Sequence, residues 1–166
     1  MATITVRAPA WLGVEYDAAH VTPNSSASWS EGDLLTIAGG TANKASAGTK
    51  VNLVLAYQDF PDSNYEGTDG RVLPAGRFTP GEPVIINLTG GAGSTHALSA
   101  ADIGASYGFT FDTATGYPVL NSADTSNAAF KVQSTVGAYY GNGVGEGDVG
   151  DTNARVVATA LSTAAY

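Results

Sequence analysis

No cysteine occurs anywhere in the 166 residues, and histidine occurs only twice, at His20 and His96. The first absence excludes disulfides and thiolate metal sites, and with them a small disulfide-framed scaffold. The second leaves only two side chains whose ordinary titration lies near neutrality, whereas acid/base and nucleophilic chemistry need titratable groups within hydrogen-bond reach of one another. Basic residues are also scarce: seven Lys and Arg stand against fifteen Asp and Glu, for a net charge of −8. Such a balance repels polyphosphate and argues against a nucleic-acid partner. The longest apolar stretches, residues 51–57 and 84–88, fall well short of the roughly 20 residues a membrane-crossing helix needs. The first residues show neither a basic leader nor an apolar core ending at a small-residue cleavage site, so the expectation is a protein made and used without Sec export.

What the chain does have is glycine, 21 residues of it, and a period-two pattern of apolar side chains. In Val51-Asn52-Leu53-Val54-Leu55-Ala56-Tyr57 the odd positions form one apolar face, the pattern of a half-buried strand. Tyr107, Phe109 and Phe111 repeat it, as do Ile4 and Val6. Further strands are expected at residues 33–38, 84–88, 117–120, 128–136 and 154–161. Between them lie clusters of Gly, Asn, Asp, Ser, Thr and Pro that favour turns. Asp112-Thr113-Ala114-Thr115-Gly116 reads as a hairpin loop with Gly116 in the left-handed conformation, and Pro118 as an edge strand or bulge. Ser99-Ala100-Ala101-Asp102 has the form of a capping box, but Gly104 stops any helix after about one turn. The fold class that follows is all-β, one compact domain with at most one short helix.

Residues 1–30 differ from the rest. Pro9, Trp11, Gly13, Tyr16, Pro23 and Asn24-Ser25-Ser26 break any regular period, yet both tryptophans fall here. Two readings stand: an extended arm preceding a domain at residues 31–166, or a segment covering one end of its own barrel. On the arm reading, Arg7, Trp11, Tyr16 and Trp29 are the candidate contacts with a partner or a neighbouring subunit.

The motifs with a chemical reading are weak. Gly145-Glu146-Gly147-Asp148-Val149-Gly150 fits G-x-G-x-x-G, but a dinucleotide site needs a helix after it, and the following residues are strand-like and flanked by acids. Asp62-Ser63-Asn64-Tyr65-Glu66-Gly67 resembles half a calcium loop, yet position 12 is Leu73 instead of a bidentate Glu. Asp148, Asp151 and Asn153 carry the same weak metal signal. Ser, His and Asp are all present, but no Gly-x-Ser-x-Gly elbow accompanies them. Neither a catalytic residue, a cofactor site nor a metal site is expected.

Three stretches resemble the capsid decoration, or cement, proteins of tailed bacteriophages. They are Ser30-Glu31-Gly32-Asp33-Leu34-Leu35 with the Gly39-Gly40 turn and residues 51–57; Ile103-Gly104-Ala105-Ser106-Tyr107-Gly108-Phe109 through Asp112, Gly116-Tyr117 and Val119; and Gly147-Asp148 through Asp151-Thr152-Asn153-Ala154-Arg155-Val156-Val157. The resemblance covers roughly residues 30–161. It implies a β-barrel or β-tulip-like module, commonly a homotrimer, on the outer surface of the virion head, where it stabilises contacts between major capsid protein subunits. The alternative is a carbohydrate- or receptor-binding β-module of a phage head fibre or tail, with Tyr65, Tyr139 and Tyr140 stacking on sugar rings. A homo-oligomer is also expected on the ground that many short strands leave open edges.

Overall fold

The computed structural model describes residues 1–11, 17–61, 72–140 and 147–165, with backbone alone at positions 11, 17, 18, 139 and 140. Strands dominate: β1 (Ala10–Trp11), β2 (Asp17–Val21), β3 (Leu34–Ala38), β4 (Thr41–Lys44), β5 (Leu53–Ala56), β6 (Leu73–Arg77), β7 (Pro83–Thr89), β8 (Ser106–Phe111), β9 (Pro118–Asn121), β10 (Phe130–Thr135) and β11 (Arg155–Ala160). One short helix, α1 (Val136–Tyr140), and one 3-10 turn, Ala100–Asp102, complete the described elements. The all-β expectation holds.

Five strands close into a barrel in the order β7-β11-β10-β8-β9 and back to β7. All its pairings are antiparallel except the closing one, in which Leu88 and Thr89 lie parallel to Leu120 and Asn121. Closure places Val84, Ile86, Leu88, Phe109, Leu120, Phe130, Val132 and Val156 in one core. The hairpin between β8 and β9 is the expected one: Gly116 has φ of +77° and donates its N–H to Asp112 O, while Asp112 Oδ2 accepts from Thr115 N. Pro118 opens β9, a position where a missing N–H costs the ladder nothing. That strand is no edge, because it closes the barrel.

The second sheet runs β2-β6-β5-β3-β4, all antiparallel. Its two ends also meet, since the segment after β2 bridges from Pro23 to Ala42 on β4, with Asn24 N donating to Ala42 O and Ala42 N to Thr22 O. The open edges from which a homo-oligomer was expected are thus largely engaged within the chain.

The one-sided reading of residues 51–57 needs correction. All four residues of β5 are buried. Leu53 and Leu55 face the barrel core together with Leu34 and Phe78, while Val54 and Ala56 join Val21, Trp29, Leu35, Ile37, Phe60, Leu73 and Ala75 in a second core. The unbroken apolar run Leu53-Val54-Leu55-Ala56 is the signature of a strand buried on both faces, each large side chain contributing about 1.5–3 kcal/mol.

The separate arm is corrected as well, for the described part of residues 1–30. Thr3 bridges to Thr152, and Ile4 N donates to Thr152 O. Buried Asn87 on β7 accepts from Arg7 N, Arg155 Nη2 on β11 donates to Ala8 O, and β1 pairs Ala10 with Ile85 and Trp11 with Val84. Ala8 packs so closely on Gly32, itself at φ of +86°, that a Cβ there would come within 2.8 Å of the Ala8 Cβ. β2 is an integral strand of the second sheet. These residues therefore belong to both layers of the body, and residue 30 marks no boundary in the packing.

Candidate functional site

A dense polar cluster forms where the loop after β7 meets the loop before β11. The 3-10 turn Ala100–Asp102 tips the Asp102 carboxylate into the protein, where the residue is only 4% exposed. Its Oδ1 accepts from the Tyr107 hydroxyl at 2.6 Å. Its Oδ2 accepts from Ser99 N at 2.7 Å and Ser99 Oγ at 2.8 Å, and lies 3.0 Å from His96 Nε2. The Ser99 N–H bond is the carboxylate arm of the capping box the sequence shows. Burial would raise the pKa of Asp102, but the hydrogen bonds from Tyr107, His96 and Ser99 outweigh it and hold the group at about 2. Burial and the adjacent carboxylate push the Tyr107 phenol up to about 12.

The second loop locks onto the first. Asn153, in the left-handed conformation at φ of +55° that Asn tolerates, accepts from His96 N through Oδ1 and donates its own N–H to His96 O. Leu98 N donates to Asp151 O, and Gly150 N to Leu98 O. Asp151 in turn accepts from Ala2 N and Asp148 N, which lowers its pKa.

Serine, histidine and aspartate have met here, but not as a catalytic relay. A relay needs the imidazole between the hydroxyl and the carboxylate, so that it can take the serine proton. Here Ser99 Oγ and His96 Nε2 converge on the same oxygen of Asp102, so the hydroxyl proton already points at the carboxylate. The arrangement is a latch that fixes two loops. His20 lies in the other sheet, exposed on β2 opposite Pro74.

A second latch ties the two sheets together. Buried Asp33 accepts from Ser30 N and pairs with Lys44 Nζ at 2.8 Å, and that ammonium sits 4.7 Å from the centre of the Phe111 ring on the barrel. Asp124 plays the corresponding part in the 124–127 loop, accepting from Asn127 N and Nδ2 and from Ser126 Oγ.

The four candidate contact residues are not brought together. Arg7 is exposed on the segment that lies along the barrel. Trp11 is in β1, and its side chain, like all of Tyr16, lies outside the described residues. Trp29 is 6% exposed, stacks at 4.8 Å on Phe60 and donates Nε1–H to Gln58 O, so it is a core residue and not an interface anchor. Tyr65 and the side chains of Tyr139 and Tyr140 are outside the described residues, as is the loop Asp62 to Gly67. After Gly147 and Gly150 the chain enters strand β11, where a dinucleotide site would require a helix. Among the described residues no group of three or more His, Asp or Glu is arranged to hold a metal ion, and no helix is long and apolar enough to cross a membrane.

The Asp102–Tyr107 pair escaped the sequence reading because Tyr107 falls in phase with Phe109 and Phe111 and reads as one more apolar residue. Its hydroxyl was the available signal, since a buried phenol requires a partner. Comparison with protein-family models, with curated proteins and with solved structures finds no match.

Proposed function

We propose that this chain is a structural protein, a capsid decoration protein of a tailed bacteriophage, which binds the outer surface of the assembled head as a homotrimer and stabilises contacts between major capsid protein subunits. One observation carries the reading: five aspartates among the described residues are engaged in holding the chain's own loops. Asp102, Asp112, Asp124 and Asp151 each accept at least two hydrogen bonds, and Asp33 accepts one and pairs with Lys44; most of these contacts come from backbone or side chains of the same turn. Loops fixed in this way lose little freedom on docking, and loop ordering is one of the costs of building an interface from shape and buried area. The closed barrel and the nearly closed second sheet favour the same role, because they present few free strand edges to unintended partners. The resemblance carried by residues 30–35, 103–119 and 147–157 supplies the identity of the partner.

Mass spectrometry of purified virions, together with electron microscopy of their heads, tests the proposal. The expected result is the chain in stoichiometric amount, as a two-sheet density on the outer surface above capsid subunit junctions. Its absence from intact heads would overturn the reading.

A further inference from the structure

We draw no further inference here: the strongest candidate, the surface patch beside the Asp102 and Asp151 latches where Met1, Ile103 and Val149 stand exposed, carries nothing because nothing in the structure shows what covers it.

Discussion

Replacing Asp102 by Asn changes the volume of one buried side chain hardly at all, yet it reverses half of its hydrogen-bonding character. The carboxylate accepts on both oxygens, from Tyr107 on one side and from Ser99 and His96 on the other. An amide oxygen placed toward Tyr107 leaves an NH2 group facing the Ser99 N–H, so two donors oppose each other. Loss of charge-assisted bonds and an unsatisfied buried donor together cost about 2–3 kcal/mol. A second route gives a similar figure. The fall from the ordinary value of 3.8 to about 2 in the folded protein corresponds to about 2 kcal/mol of stability carried by the ionised carboxylate. The folded value lies below the unfolded one, so this contribution is fully present above the unfolded value and is lost as pH falls through the folded value.

Urea unfolding of Asp102→Asn beside wild type, at a series of pH values, checks both routes. At neutral pH the variant is expected about 2–3 kcal/mol less stable, which for a chain of this size lowers Tm by about 5–10 °C. The gap should narrow as pH falls from about 4 to about 2, because the wild-type carboxylate is then protonated and loses its advantage. A loss below about 1 kcal/mol at neutral pH would refute the reasoning. So would a gap that stays constant through the acid range.

Trp29→Ala should destabilise by about 3–5 kcal/mol in thermal or denaturant melts, because the ring is part of the second core and its removal leaves a cavity beside Phe60; a near-neutral result would return Trp29 to the surface. Gly108→Ala should cost about 1–3 kcal/mol, since its Cβ would lie 2.5 Å from Asp124 Oδ2 and 3.0 Å from Asn127 O. Pairing it with Asp124→Ala, which removes the nearer obstacle, should recover part of that loss, and no recovery would show that the clash is not with the carboxylate. Replacing His20 and His96 together by Gln should leave head occupancy unchanged in a folded protein, because His20 is exposed on β2 outside the latches and Ser99 and Tyr107 still hold Asp102 without the His96 imidazole; lost occupancy with an intact melt would point to a histidine-dependent site.

Strands with a strong apolar period were legible in the sequence. β3, β7, β8, β9, β10 and β11 lie within a residue or two of where alternation and turn residues put them, and Gly116 has the conformation its turn requires. The strands that were missed carry weak local signals. β6 is Leu-Pro-Ala-Gly-Arg and β4 is Thr-Ala-Asn-Lys, sequences of low strand propensity that become strands only because β5, β2 and β3 supply partners. α1 was hidden by the β-like composition of Val-Gly-Ala-Tyr-Tyr, and Thr135 helps to start it by accepting from Ala138 N. The latches were harder still. Asp102 and Tyr107 are close in sequence, but Asn153 reaches His96, and Asn87 reaches Arg7, only after the barrel closes. No local pattern announces a contact made by topology.

Strands β3 and β5 form a party wall. Leu34, Leu53 and Leu55 look into one core, and Leu35, Val54 and Ala56 into the other, so neither compartment has a lining of its own on that side. Melting either compartment would strip apolar neighbours from the same short strands that the other depends on. The two layers are therefore bound into one cooperative unfolding unit, without the independent opening that separate halves would permit. Damage at Phe60 on one side should then be felt in the hydrogen-exchange protection of β7 and β11 on the other.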